Sequence, residues 1–373
     1  MNLDTKRTWA EIRLENIAHN MRAIRAALPE GTKFLGVVKA DAYGHGAVQV
    51  GHTLEKNGAD YLAVSCFDEA MELRGAGISM PILILGHTPV DYVPTLIAAR
   101  LTQTVTNRAK ALEYDAAAEK CGGTLRIHIK LDTGMSRLGF LCAGEHFESG
   151  VENVAAACAC PHLDAEGIYT HFALSDEPGE TAQGYTRAQF KLFTDVIAAL
   201  EQRGVKFAIR HCANSGAVIN YPETALDMVR PGLLLYGYGD GGKLGLKPCM
   251  DLITRVSTIK HYEPGTSVSY GGIFTTERKT RMGVISIGYA DGLLRSLSNK
   301  CAFAVEGGLA PQRGRICMDM CMIDLTEVPE AKVDSRVEIF GEHVSLDELA
   351  EAAGTIPYEL MCSVSKRVPR VYK

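Results

Sequence analysis

The sequence predicts an α/β chain, an N-terminal TIM-type (β/α)8 barrel joined to a C-terminal, mostly β domain. Three observations predict it. Short apolar runs alternate with amphipathic stretches eight times from Phe34 to Arg230. Those units fit the usual barrel length of ~250 residues better than an open sheet. After the Gly-rich run Gly237-Tyr238-Gly239-Asp240-Gly241-Gly242, strand-like segments separated by turns take over.

The elements follow in order. Leu14, Ile17, Met21, Ile24 and Leu28 recur at helical spacing, and Pro29-Glu30-Gly31 stops that helix. An apolar run then ends at Lys39, and a helix is expected from Ala47 to Asn57. Strands are expected at Tyr61–Val64, Ile82–Leu85, Thr102–Val105, Leu125–Leu131, Ala165–Thr170, Phe207–His211 and Asp227–Arg230. Helices are expected at Asp68–Arg74, Tyr92–Ala98, Arg108–Lys120 and, most clearly, Thr181–Arg203. Further on, Val256–Lys260, Thr280–Ile287, Arg336–Phe340 and Arg367–Tyr372 read as strands, with one helix at Leu346–Ala353. The expected domains are therefore residues 1–242 and 243–373, with the first dozen residues packing with the β domain.

Composition narrows the function. A 373-residue chain with 46% hydrophobic and 22% charged residues is ordinary for a soluble globular protein. A net charge of -5 gives no reason to expect nucleic acid or an anionic membrane as partner. Met1 to Leu14 lacks the apolar core of a signal peptide, and no run approaches a membrane span. The 11 cysteines are odd in number and scattered. Cys158 and Cys160 are the closest pair, poor evidence for zinc, so reduced thiols in the cytoplasm are expected and no metal site is.

Barrel enzymes keep their chemistry at the C-terminal ends of strands. There Lys39, Lys130, His171, Asn214 and Arg230 would face one opening, with Arg137 on the loop above the fifth strand. A lysine so placed either caps the strand into water or, desolvated, offers a neutral amine that condenses with an aldehyde. Ser215, opening a helix after Asn214, suits either a plain N-cap or a phosphate cradle. His171 alone would more often be a satisfied polar residue. Convergence on one rim favours the functional reading of each.

Several segments resemble the alanine racemase family of pyridoxal-phosphate enzymes (fold type III). They are Val37-Val38-Lys39-Ala40-Asp41-Ala42-Tyr43-Gly44-His45-Gly46, Leu131-Asp132-Thr133-Gly134-Met135-Ser136-Arg137-Leu138-Gly139 and Val229-Arg230-Pro231-Gly232-Leu233-Leu234-Leu235-Tyr236-Gly237. Ser286-Ile287-Gly288-Tyr289-Ala290-Asp291-Gly292 and Arg315-Ile316-Cys317-Met318-Asp319-Met320 extend the match in the family's order.

The resemblance implies that Lys39 holds pyridoxal 5'-phosphate as a Schiff base and, once released, serves one face of the substrate Cα. Tyr270, in Val268-Ser269-Tyr270-Gly271-Gly272, would serve the other, helped by His171; an untuned phenol of pKa ~10 is a poor base. Arg230 would face the pyridine nitrogen as a permanent donor that discourages ring protonation and hence transamination. Arg137 would sit near the cofactor's phenolic oxygen and the substrate carboxylate. Lys130 matches a lysine carbamylated in some family members. Tyr43, Ser215, Gly232, Leu233 and Tyr358 would bind the phosphate, and Asn214 would back His171. Tyr289, Cys317, Met318 and Asp319 would come with Tyr270 from the β domain, Met318 touching substrate through its backbone N–H.

The family is implied to be a head-to-tail homodimer in which Lys39 and Tyr270 of one site belong to different chains. L- and D-alanine are the implied substrates, with a broader serine or amino-acid racemase as the alternative. An amino-acid decarboxylase of the same architecture would show an acidic residue where Arg230 stands. A cofactor-carrying homeostasis protein on the same barrel would lack residues 243–373. D-alanine so made would supply peptidoglycan synthesis, while a catabolic role fits equally.

Overall fold

The computed structural model describes residues 6–239 and 241–373. Its chain divides into two compact units. One holds Ile17–Ala42 and Ala47–Leu246; the other holds the N-terminal residues through Asn16, Tyr43–Gly46 and Lys247–Lys373.

The first unit is a parallel barrel. Lys33–Val37, Tyr61–Val64, Ile82–Ile84, Leu101–Val105, Leu125–Asp132, Leu163–Tyr169, Ile209–His211 and Met228–Val229 are its strands. Each pairs in parallel with the next from Lys33–Val37 to Ile209–His211, and Met228–Val229 pairs with Lys33–Val37. The remaining seam is bridged by Asp227 N–H to Arg210 O (3.1 Å) and Arg230 N–H to Ala213 O (2.9 Å). All eight expected barrel strands form, the third and the last two shortened.

The short runs are strands because β-branched and leucine side chains are buried on both faces, as a parallel sheet under helices requires. Ile82, Leu83 and Ile84 are wholly buried, each contributing about 1.5–3 kcal/mol of apolar transfer. Helices Ala47–Lys56, Phe67–Gly75, Arg108–Lys120 and Glu180–Gln202 lie where the periodicity put them.

In the second unit the pairings close into a ring. The 13-residue strand Met250–Tyr262 pairs through its first half with Arg336–Phe340 and through its second with Thr280–Ile285. Cys321–Asp324, Gly308–Arg313 and Ala302–Val305 complete the circuit, every pair antiparallel. Thr8–Ile12 joins Met250–Tyr262 and takes Arg370–Tyr372 in parallel on its other side. Closure removes exposed edges from the ring.

Candidate active site on the barrel rim

Lys39 stands two residues beyond the first barrel strand and is half-buried. The next four residues, Ala40 to Tyr43, all have φ between 52° and 54°, a left-handed turn. Each non-glycine residue there costs about 1–2 kcal/mol, so neighbours must hold it. Glu69 takes the N–H groups of Ala40 and Ser65, each at 2.6 Å, and Asp41 takes that of Ala47 at 2.8 Å. Such strain gathers at functional sites.

Four cations influence one another at this rim. Burial, then Arg137 and Arg230 and, more weakly, Lys39 push the Lys130 amine down to about 8, against the pull of Asp132. The same charges act on His171: burial first, then Arg230, Arg137, Lys130 and Lys39 hold its pKa well below the usual imidazole value. His171 is therefore neutral at pH 7. Asp132 does not neutralise the cluster freely. Its carboxylate accepts from the N–H groups of Gly134 (3.0 Å), Ser136 (3.0 Å) and Arg137 (3.1 Å), fixing the loop that carries Arg137. A cation-rich pocket of this kind concentrates an anionic ligand.

Arg230 is buried and donates to Thr170 O (2.8 Å), Cys212 O (3.1 Å), His171 Nδ1 (3.3 Å) and His211 Nδ1 (3.0 Å). A guanidinium has only donors, so both imidazoles present a bare Nδ1 to it. His211 then donates from Nε2 to His128 Nδ1 at 2.9 Å. His128 donates from Nε2 to Glu166 at 3.2 Å, and the Tyr61 hydroxyl also donates to Glu166. Burial lowers the pKa of His128 and His211, in keeping with neutral rings. Tyr169 stacks on His211 with centroids 4.8 Å apart, and the Arg230 guanidinium carbon lies 5.2 Å from the Tyr169 ring centre. Gly167 makes room for this row, since a Cβ there would come within 2.7 Å of the His128 ring.

Beyond the seventh strand, Asn214 caps the helix Ser215–Asn220 by accepting from Ala217 N–H at 3.0 Å. The same Asn214 oxygen takes the Ser175 hydroxyl at 2.7 Å. Asn214, rather than Ser215, is thus the N-cap, and its oxygen serves this helix and Ser175. Ser215 Oγ accepts from Gly232 N–H (3.0 Å) and Leu234 N–H (3.4 Å), joining the two loops expected at a phosphate. Its hydroxyl proton stays available for an anion.

The second unit gathers its own set. Tyr43 and Tyr358 rings lie 5.6 Å apart, and burial, then the nearby Tyr358 and Cys362, keeps the Tyr43 phenol protonated. Tyr270 begins a short turn and is 72% exposed. The preceding Ser269 donates to Arg315 O at 2.8 Å, tying this turn to the loop of Cys317, Met318 and Asp319. Tyr289 N–H bonds Cys317 O and Ala290 N–H bonds Met318 O, both at 3.0 Å, so a third loop joins the same surface. Buried Asp291 organises it by accepting from Arg7 (2.6 Å), Arg367 (2.8 Å) and Gly288 N–H (2.9 Å). Arg367 also binds Asp319 at 2.6 Å.

Several of these organisers escaped the sequence reading. Asp132 and Asp291 lay inside recognised segments but had no role assigned. His128 stands between Ile127 and Ile129, and a polar residue alternating with apolar ones on a strand is a signal for it; His211, beside Arg210, and Glu166, beside Ala165 and Gly167, carry no such signal.

A parallel barrel with two lysines, two arginines and a neutral histidine on its C-terminal rim defines an enzyme that handles an anionic small molecule. Family models for "alanine racemase, N-terminal domain" and "alanine racemase, C-terminal domain" match residues 12–240 and 249–372. An alanine racemase of Desulfovibrio desulfuricans is 45% identical over 98% of this chain and 97% of its own. Alanine racemase 1 of Clostridium acetobutylicum is 46% identical over 98% and 95%. The solved alanine racemase of Clostridium difficile 630 superposes with a TM-score of 0.92 at 39% identity, covering 99% of this chain and 96% of that one. The chain belongs to the alanine racemase family.

Proposed function

We propose that this enzyme interconverts L- and D-alanine with pyridoxal 5'-phosphate, using Lys39 and Tyr270 on opposite faces of the substrate. The carrying observation is the setting of Arg230. Its hydrogen-bond partners are two backbone carbonyls and two imidazole nitrogens, with no carboxylate among them. A decarboxylase of this architecture would put an acid where Arg230 stands.

The residues fit the cofactor. The cations of the rim suit its anionic groups, and the Ser215 hydroxyl with the Gly232–Leu233 loop suits its phosphate; Tyr43 and Tyr358 are added as phosphate ligands by the family resemblance alone. Bound there, the cofactor supplies an electron-accepting ring for the pair left at Cα. Arg230 would face the ring nitrogen with an N–H and, being a permanent donor, would discourage protonation there. Arg137 and the Met318 backbone hold the substrate carboxylate. Lys39 removes or returns the Cα proton on one face, and the Tyr270 hydroxyl does so on the other, with neutral His171 as its helper. Asn214 caps the helix that Ser215 opens, and the family resemblance alone gives it the support of His171; Tyr289, Cys317 and Asp319 would shape the surface around Tyr270.

The proposed assembly is a homodimer with two shared sites, working in the cytoplasm and feeding D-alanine to peptidoglycan. Among the described residues no helix is long and apolar enough to cross a membrane. The test compares initial rates with L-alanine, D-alanine and L-serine, alongside an absorbance scan for lysine-bound cofactor. A serine rate above the alanine rate would overturn the alanine assignment. An apolar pocket rejects one added hydroxyl by only about 100-fold, so slow serine turnover is expected.

A further inference from the structure

The helix Glu180–Gln202 buries Ala182, Thr186, Phe193, Val196, Ile197 and Leu200, and among them Gln189, which is 2% exposed. A glutamine amide costs free energy in such a place unless every polar atom is satisfied. Its partners are specific. Oε1 accepts from Ala173 N–H at 2.9 Å; Nε2 donates to His171 O at 3.3 Å and to Thr133 Oγ at 3.4 Å. Ala173 N–H can only donate, so the orientation of the amide follows from the network. Thr170 donates to Leu131 O at 3.1 Å, which leaves Thr133 to donate to Thr170 at 2.8 Å and to accept from Gln189. Each hydroxyl proton in the row has one place to go. One helical turn earlier, on the same face, the Tyr185 hydroxyl donates to Gly134 O at 2.6 Å.

Gln189 therefore joins two loops from outside the barrel: 132–137, which carries Arg137, and 171–173, which starts at His171. We propose that Gln189 is a positioning residue that fixes the spacing of Arg137 and His171. Asp132 shapes the first loop from within; Gln189 registers it against the second. What Arg137 and His171 then do rests on the racemase reading, whereas the clamp itself does not.

The test uses Gln189→Met, close in volume and without donors, and Thr133→Val, which removes only the middle hydroxyl. Amide exchange is measured on the cofactor-free protein; kcat, KM and the pH profile are measured on the loaded enzyme. In Gln189→Met the Ala173 amide should exchange at least about tenfold faster, with kcat falling about tenfold and the acid limb of the pH profile displaced. Thr133→Val should retain Ala173 protection yet lose kcat severalfold. Wild-type kcat and pH profile in Gln189→Met, or unchanged Ala173 exchange, would overturn the proposal. If Gln189→Met does not fold, wild-type kinetics in Thr133→Val would overturn it instead. A wild-type chain that fails to racemise alanine would sink the racemase reading, leaving the exchange result to decide the clamp.

Discussion

Lys130 is an amine that burial and two arginines hold at about 8, so near pH 8 half of it is neutral. A neutral amine adds carbon dioxide and releases a proton, giving an anionic carbamate. Among Arg137, Arg230 and Lys39 that anion would be favoured where the ammonium ion is not. Occupancy should rise with pH and with bicarbonate. The check is carbon NMR with labelled bicarbonate: a carbamate resonance is expected in the wild type and its loss in Lys130→Ala. Absence of the resonance at pH 8.5 would end the idea. The buried histidines make a second prediction. His128, His171 and His211 all have folded pKa values below the unfolded value of ~6.5. Below that pH the unfolded chain binds protons the folded chain refuses, so stability falls as pH falls, by up to about 1.4 kcal/mol per pH unit for each group. Denaturant midpoints measured from pH 7 to 5 should decline steadily; a flat profile would mean these rings take up protons as readily in the folded chain as in the unfolded one. Lys39, Arg137 and Arg230 were legible in the sequence because they stand in ordered motifs at strand ends. Gln189 and Glu166 were not, since a polar residue on a helix or strand reads as solvent-facing until the fold shows that it faces inward.

At the scale of elements, the C-terminal strand Arg370–Tyr372 and the segment Tyr43–Gly46 belong to the same unit. Arg370 donates to Gly44 O at 2.9 Å and to the carbonyls of Ser365, Val368 and Val364 at 2.6–2.7 Å. Gly46 has φ of 94°, and a Cβ there would lie 1.9 Å from the Tyr372 hydroxyl oxygen. Gly46→Ala should thus pay twice, in backbone strain of about 1–2 kcal/mol and in displacement of Tyr372. The expected outcome is a Tm lower by several degrees and faster cofactor loss, since Tyr43 shares the segment. Gly46→Ala with Tyr372→Phe should recover part of the Tm but not the strain; full recovery would show that strain contributes nothing. Legibility differed between the units for a physical reason. Parallel strands buried on both faces print continuous apolar runs, so the barrel strands stood out. Ala302–Val305, Gly308–Arg313 and Cys321–Asp324 are short, antiparallel and half-buried, with Pro311 inside one, and none was expected. Thr8–Ile12 is wholly buried and pairs antiparallel with Met250–Tyr262, a strand that its mixed sequence did not announce.

The surface of the second unit bears on the whole molecule. Tyr270, Tyr289, Met318 and Met320 are 72%, 44%, 52% and 47% exposed, and hydrogen bonds join their three loops. Large apolar side chains grouped in this way suit the proposed homodimer, in which a partner would cover them. The family resemblance names that partner as a second copy, and it is the one feature of assembly the sequence suggested; composition and periodicity carry no trace of it. If each site takes Lys39 from one chain and Tyr270 from the other, two dead variants should rescue each other. Lys39→Ala and Tyr270→Phe homodimers each lack one proton-transfer group at both sites, and each should lose at least about 1000-fold in kcat. Mixed heterodimers have one site lacking both groups and one site lacking neither. After subunit exchange of equal amounts, half the dimers are mixed and each has one of two sites intact, so about a quarter of wild-type activity should return. Because the two enantiomers are equal in free energy, kcat/KM must remain equal in the two directions in every sample, which guards against artefacts of the coupled assay. Mass spectrometry of differently tagged chains verifies the exchange. Recovery absent from a verified mixture would place Lys39 and Tyr270 of a working site on the same chain and remove the shared-site dimer.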